Sequence, residues 1–281
     1  MEDFKVDYFL VGVPKSASTW IYECCTGHPQ IATPIEDSLK FYDLKYHKGR
    51  QWYRKKFEHC DASKVVIDPS PTYIRSPSAP ARIAADFPDA KFIVSLRNPV
   101  DRAFSQFWHE KKNGDILFEF EDCLEKFLLF SWYIDTGMYA DLLDRWLVHF
   151  DRSRFKIVLF DDLRSDPSAF IEDIFLYMGV DAAYSPPVLN QRVNEAGGEV
   201  TAVARKIKLL KKAPWLYNTL RSLKQKLAFS DSVERVLKVK GSNEAYKKGM
   251  SEEVRLELQS IYAPQIKRLE AEWGLNLSAW K

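Results

Sequence analysis

The chain has 281 residues, of which 46% are apolar and 28% are charged, a composition typical of a globular protein with a substantial core. Its formal net charge of +2 is too small to favour nucleic acid or a membrane surface as a partner. The four cysteines show neither a disulfide framework nor metal-ligand spacing. The sequence shows no signal-peptide pattern and no apolar run long enough to span a bilayer, so the expected location is cytoplasmic.

Apolar, β-branched runs alternate with amphipathic stretches along most of the chain. The runs predict strands over residues 8–13, 30–33, 64–68, 91–97 and 155–160. The amphipathic stretches predict helices over residues 19–27, 49–57, 79–86, 99–112, 118–130, 138–150 and 167–178, then a loop over 184–199 and a basic helical stretch over 206–226. Asn98 and Ser251 are predicted helix caps. This alternation predicts a single α/β domain over residues 1–281, with a central parallel sheet flanked by helices and a helical C-terminal region.

The first strand leads into a loop of small residues that carries Lys15 and several hydroxyl side chains. A strand that enters a helix through such a loop directs backbone N–H groups and the positive end of the helix dipole at one point. The lysine adds a full charge, so the loop predicts a phosphate site, although similar junctions in many α/β proteins bind nothing. The lysine comes early, and no Gly-Lys-Ser/Thr sequence closes the loop, which argues against an ordinary ATPase. A kinase for a small metabolite stays as an alternative.

A second candidate anion site follows the strand over residues 91–97. Arg97 lies at its carboxyl end, and Ser105 comes about two helical turns later. In an open parallel sheet ligands bind beyond the carboxyl ends of the strands, so Lys15 and Arg97 are expected at the same edge. Two anion sites there indicate a nucleotide with phosphates at both ends. The alternative for Arg97 is a structural ion pair, for example with Asp101.

Together these motifs resemble those of the PAPS-dependent sulfotransferases, in the bacterial branch related to the heparan sulfate sulfotransferases. Residues 14–20 resemble the family's P-loop-like 5′-phosphosulfate loop, and residues 97–105 are similar to its 3′-phosphate motif almost letter for letter. Further family landmarks are matched at residues 28–29, 68–73, 137–139, 160–163 and 275–280. The resemblance therefore covers essentially the whole chain.

The resemblance implies sulfuryl transfer from 3′-phosphoadenosine 5′-phosphosulfate (PAPS) to a hydroxyl or amine of a small molecule or saccharide, which leaves PAP and needs no metal. The residues it assigns to the 5′-phosphosulfate are Lys15, Ser16, Ala17, Ser18, Thr19 and Trp20. Arg97 and Ser105 would hold the 3′-phosphate, and Asn194 would belong to a late loop that closes over the nucleotide. Lys15 would also stabilise the bridging oxygen as the leaving group departs.

The general base is where the chain departs from the family pattern. Relatives carry a Lys-Glu pair shortly before two phenylalanines, and a gap-free alignment on the aromatic pair at residues 41–42 puts Asp37 and Ser38 at those positions. Serine is not a base at neutral pH, so Asp37 and Glu36 are the predicted bases, unless they are only solvated loop charges. The outlying candidates are His47 and Asp68. A nucleotide-binding relative that has lost its base is the non-catalytic alternative.

Overall fold

The computed structural model describes residues 4–61, 63–112, 119–126, 129–189 and 249–280. The strands are β1 Tyr8–Gly12, β2 Ile31–Ala32, β3 Val65–Asp68, β4 Lys91–Leu96 and β5 Phe155–Leu159. The helices are α1 Ser18–Gly27, α2 Gly49–Lys55, α3 Ala79–Asp86, α4 Pro99–Lys112, α5 Asp122–Glu125, α6 Tyr139–Leu147, α7 Phe160–Ser165, α8 Pro167–Met178 and α9 Glu252–Trp273. Short π or 3₁₀ turns lie at Phe41–Lys45, Tyr46–Lys48, Tyr73–Arg75, Phe130–Ile134, Asp135–Gly137, Arg152–Arg154 and Ser278–Trp280. The basic stretch predicted over residues 206–226 lies outside the described residues.

The described strands form one parallel sheet in the order β2-β3-β1-β4-β5. After β1 the chain builds β2 and β3 on one side of it and then crosses over to add β4 and β5 on the other side. The direction of winding therefore reverses between β1 and β4, and such a switch point opens a crevice at the carboxyl ends of the strands. The sheet places the loops that follow β1 and β4 next to each other at this crevice.

Side chains of the central strands alternate between two apolar layers, as the pleat of a strand requires. Phe9 and Phe92 belong to an aromatic-rich layer with the residues of α2, α6 and α9. Leu10 and Ile93 face the opposite layer, which α1 and α8 cover. With both faces covered, β1 is buried along its whole length, which is why its sequence is continuously apolar.

Capping residues account for the helices whose bounds agree with the prediction. Asn98 accepts a hydrogen bond from Val100 N at 3.0 Å at the start of α4, and Ser251 accepts one from Val254 N at 3.3 Å at the start of α9. α8 ends at Gly179, which has φ +70°, a conformation that favours glycine. Among the described residues, no helix combines the length and apolarity needed to cross a bilayer.

The helix predicted over residues 118–130 is wrong. Within the described part, α5 covers only Asp122–Glu125, and Lys126 is extended with φ −102° and ψ 114°. The apolar side chains that suggested a long helix pack across to α4 instead. The ring of Phe120 lies edge-on to those of Phe104 and Phe107, at centroid distances of 5.2 and 5.3 Å. This tertiary packing outweighs the local helical pattern.

Candidate active site

The loop between β1 and α1 curls over the end of β4. Val13 N donates to the carbonyl oxygen of Ser95 at 2.9 Å, and Ser95 Oγ donates to the carbonyl oxygen of Ser16 at 2.6 Å. Lys15 and Ala17 have φ of 74° and 68°, in the left-handed region. Left-handed residues next to right-handed ones turn successive N–H groups to one side and form an anion-binding concavity. Ala17 caps α1 without a side-chain hydrogen bond, so the first turn of that helix adds uncapped N–H groups.

The side chain of Ser16 tests whether this loop fits an anionic ligand. Ser16 is fully buried, yet its Oγ has no hydrogen-bond partner among the described residues. A buried hydroxyl is normally paired, because leaving it unpaired costs free energy. An oxygen of a phosphate or sulfate in the loop would supply the missing partner, so the residues fit the 5′-phosphosulfate of PAPS.

Arg97 connects the end of β4 to this loop. Its Nη1 donates to the carbonyl oxygen of Lys15 at 3.3 Å, and its guanidinium lies 4.8 Å from the ring centroid of Phe160, at the start of α7. Tyr139 OH donates to the carbonyl oxygen of Arg97 at 2.8 Å, which fixes the backbone from α6. Asp101, which was considered as an ion-pair partner of Arg97, pairs with Arg255 at 3.3 Å. The two predicted anion-binding cations therefore share one edge of the sheet.

The side chains of α4 next to Arg97 are buried. Ser105 is 4% exposed, and Arg102, one turn earlier, is completely buried. Arg102 Nη1 donates to Oε1 of Gln106 at 2.6 Å, and its Nη2 donates to the carbonyl oxygen of Tyr133. A buried arginine with these partners joins α4 to the turn at Phe130–Ile134. The sequence motif contained Arg102 but did not reveal this role.

Comparisons with known proteins agree with this arrangement. The model of the sulfotransferase domain family matches residues 5–270. The chain belongs to this family. It is 32% identical to heparan sulfate glucosamine 3-O-sulfotransferase 3B1 of Mus musculus over 177 residues, which cover 61% of this chain and 45% of that protein. It is 28% identical to bifunctional heparan sulfate N-deacetylase/N-sulfotransferase 4 of Mus musculus over 197 residues, 63% of this chain and 23% of that protein.

The chain thus spans less than half the length of these two curated relatives. A crystal structure of a sulfotransferase from Alicyclobacillus acidocaldarius superposes with a TM-score of 0.72 at 21% sequence identity, covering 99% of both chains. That likeness confirms the predicted fold: a parallel sheet flanked by helices, with a helical C-terminal region in α9. Both motifs predicted to bind phosphate, at residues 14–20 and 97–105, lie inside the range that the family model matches.

The predicted bases of this family member lie in the loop before the turn at Phe41–Lys45. Glu36 is exposed, and its Oε1 pairs with Lys56 Nζ at 2.5 Å. The hydrogen bond from Lys56 lowers the pKa of Glu36. Asp37 is exposed, whereas Oγ of Ser38 is buried and has no partner among the described residues. The loop therefore presents one ion-paired carboxylate, one exposed carboxylate and one buried hydroxyl.

Trp20, a further predicted nucleotide contact of this family member, lies in the core and not at the loop surface. Trp20 is 6% exposed, and its ring lies 6.0 Å from that of Phe170 in the layer beneath α1, whereas Ser18 and Thr19 are partly exposed at the start of the helix. Asn194, predicted to lie in a loop over the nucleotide, is outside the described residues.

Asp68 is one of the two outlying candidate bases. The structure buries it completely at the end of β3, where it accepts hydrogen bonds from Tyr53 OH at 2.8 Å, Ser70 Oγ at 2.6 Å and Tyr73 OH at 3.0 Å. Burial raises the pKa of Asp68 to about 6. The Asp-Pro-Ser-Pro-Thr-Tyr sequence carried the signal, since it brings a carboxylate and three hydroxyls into one short turn, and two of these hydroxyls bond to the carboxylate.

Proposed function

We propose that the chain transfers a sulfuryl group from PAPS to a hydroxyl or amine of an acceptor. The supporting observation is the contact between the Lys15 loop and Arg97 at the switch point, beside the buried unpaired hydroxyl of Ser16. Cations at the ends of two adjacent strands suit a nucleotide that carries phosphates at both ends. Family membership argues against the kinase alternative.

Each residue has a distinct part in this proposal. Bound PAPS supplies the sulfuryl group, whose bond to the 5′-phosphate oxygen breaks as the acceptor oxygen or nitrogen bonds to sulfur. Lys15 stabilises the charge that develops on the departing oxygen. Arg97 and Ser105 hold the 3′-phosphate, and the loop N–H groups orient the opposite end, so positioning supplies much of the acceleration.

The acceptor proton passes to a carboxylate of the loop, and we assign this role to Asp37 in preference to Glu36. Glu36 is bound to Lys56, which lowers its pKa and makes it a weaker base. Asp37 is exposed at the neighbouring position.

Charge and aromatic surface beside this loop favour an anionic saccharide as the acceptor. The indole of Trp52 is surrounded by the ammonium groups of Lys45, Lys48 and Lys56, at 5.4, 4.9 and 4.9 Å from its centroid. An aromatic face can pack on the C–H groups of a sugar ring while lysines attract its acidic groups. The names of both curated relatives refer to heparan sulfate, an acidic saccharide.

Thermal unfolding with and without PAP tests the donor. PAP should raise the Tm of the wild type, since a ligand that binds only the native state stabilises it. The increase should be much smaller for Lys15→Ala and Arg97→Ala. The matched control is Lys91→Ala, which removes a positive charge from the exposed first residue of β4, at the opposite end of the strand from Arg97. Equal stabilisation of all four proteins would contradict the proposal.

Transfer of ³⁵S from labelled PAPS tests the reaction itself. N-desulfated heparan sulfate should accept label, and Lys48→Ala should raise its KM, most strongly at low salt. A neutral phenol should be a poorer acceptor whose KM does not change with Lys48. Nucleotide binding without transfer to any acceptor would instead support the non-catalytic alternative.

A further inference from the structure

The buried network around Asp68 has a fixed direction of donation. The N–H groups of Leu39 and Lys40 donate to Oγ of Ser70 at 3.1 and 3.4 Å. An amide N–H can only donate, so Ser70 accepts both bonds and its own proton goes to Oδ1 of Asp68, at 2.6 Å. The hydroxyl of Ser70 therefore links the carboxylate of Asp68 to the backbone N–H groups of residues 39 and 40.

Tyr73 likewise accepts a backbone N–H of this segment and donates to Asp68. Phe41 N donates to Tyr73 OH at 3.0 Å, so the phenol proton is directed to Oδ2 of Asp68, also at 3.0 Å. Burial raises the pKa of Tyr73 well above its usual value, which keeps this proton on the phenol. Three consecutive backbone N–H groups, at residues 39–41, are thus held by two hydroxyls that one carboxylate orients.

The backbone of this segment needs such support. Lys40 has φ 55° and ψ 34°, a left-handed conformation that residues with a side chain rarely adopt. It lies between Leu39 and Phe41, both completely buried. Residues 36–38, which carry the predicted bases and the buried hydroxyl of Ser38, directly precede it. Residues 36–41 are called the acceptor loop below.

We propose that Asp68 is a positioning residue that fixes the acceptor loop through the hydroxyls of Ser70 and Tyr73. That the loop faces the acceptor follows from the proposed function, on which this assignment rests. Asp68 transfers no proton to or from the substrate. Its effect is to set where the loop presents Asp37 and Ser38.

The network also gives the loop a dependence on pH. Asp68 accepts hydrogen bonds from three hydroxyls, which requires the ionised carboxylate, and burial raises its pKa to about 6. Once protonated, it cannot accept all three bonds, and a hydroxyl must turn away. The groups that face Asp68 are Ser70, Tyr53 from α2, Tyr73 from the turn after β3, and Tyr42 and Asp43 from the turn at Phe41–Lys45. The tyrosines stay neutral near pH 6, because burial raises the pKa of each.

Hydrogen–deuterium exchange of residues 38–42 tests the positioning role without an acceptor. Tyr73→Phe and Tyr53→Phe each remove one hydroxyl from Oδ2 of Asp68, and both rings are buried. Of these two tyrosines, Tyr73 alone accepts an N–H of the loop among the described residues, from Phe41. Tyr73→Phe should therefore speed exchange there by roughly threefold to tenfold, and Tyr53→Phe should leave it unchanged. Equal exchange in the two variants would overturn the proposal.

Catalysis provides the second readout, with N-desulfated heparan sulfate as the probe acceptor. Asp68→Asn should raise the acceptor KM without changing PAP affinity, and it should remove a limb near pH 6 from the profile of kcat/KM. Parallel loss of PAP affinity, or an unchanged pH profile, would count against the positioning role. Failure of the wild type to bind PAP would instead contradict the proposed function. Exchange of residues 38–42 in Asp68→Asn, expected to be faster than in the wild type, would still decide the role of Asp68, and unchanged exchange in that variant would overturn it.

Discussion

Gly137 is a position where one added methyl group should disturb both the fold and the candidate site. It closes the turn Asp135–Gly137, and a Cβ there would lie 2.6 Å from Cε1 and 2.7 Å from Cζ of Tyr262. The ring of Tyr262 is completely buried in α9, and its hydroxyl donates to the carbonyl oxygen of Ile134 at 2.9 Å. The substitution Gly137→Ala therefore forces the ring to move.

The expected cost follows from these distances. Carbon atoms pack at about 3.5–4.0 Å, so the ring must shift by about 1 Å within a close-packed core. Overpacking of this kind costs about 1–3 kcal/mol, and loss of the Tyr262–Ile134 hydrogen bond adds about 1 kcal/mol. With an unfolding entropy of about 2.1 cal/mol/K per residue, a chain of 281 residues loses about 1.7 °C of Tm per kcal/mol, which predicts a decrease of about 3–7 °C. PAP affinity should also fall, because Tyr139, two residues later, holds the carbonyl oxygen of Arg97.

Calorimetric unfolding measures the first effect, and a double-mutant cycle with Tyr262→Ala isolates its cause. In the Tyr262→Ala background the ring is gone, so Gly137→Ala should cost less than about 1 kcal/mol. A Tm within a degree of the wild type would refute the reasoning from the short contact. An equal loss in both backgrounds would refute the assignment to Tyr262.

Other predictions concern single side chains of the site. Ser95→Ala leaves the carbonyl oxygen of Ser16 without its buried donor and should weaken PAP binding by about 1–2 kcal/mol, measured by titration calorimetry; unchanged affinity would argue against the role of this bond. Asp37→Asn should lower kcat by at least about a hundredfold and Glu36→Gln by less, in transfer assays with labelled PAPS; the reverse order would transfer the base role to Glu36. Because burial raises the pKa of Asp68 from 3.8 to about 6 in the folded chain, its stabilising contribution is complete below pH ~4 and is lost as the pH rises through ~6. Relative to Asp68→Asn, the wild type should lose about 3 kcal/mol of unfolding free energy between pH ~4 and ~7 in urea titrations, and parallel pH curves would contradict this.

Local chemistry made much of the fold predictable. The strand at Tyr8–Gly12 has a continuous apolar sequence, and the helix at Pro167–Met178 begins with proline and ends before glycine. The failed helix over residues 118–130 shows the limit, because its aromatic residues are held by α4 and not by their own periodicity. Contacts between distant segments override a local pattern that contains no information about them.

The candidate site was predictable only in part for the same reason. The sequence identifies Lys15 and Arg97 as cations that follow two strands. It does not determine whether those strands are adjacent in the sheet, and the observed strand order shows that β1 and β4 are neighbours. The network of Asp68 joins residues that are two to 29 positions from it along the chain, and only the folded structure brings them together. The buried, unpaired hydroxyl of Ser16 likewise depends on the burial of the loop.

The central claim is that the Lys15 loop and Arg97 bind opposite ends of one nucleotide. Titration calorimetry with PAP and with AMP, which lacks the 3′-phosphate, tests it most directly. The wild type should prefer PAP by roughly tenfold or more, as expected for a charged hydrogen bond of about 1.5–3 kcal/mol. Arg97→Ala should abolish this preference and leave AMP affinity nearly unchanged, whereas Lys15→Ala should weaken both nucleotides. If Arg97→Ala weakened PAP and AMP by the same factor, the two-site account would be wrong.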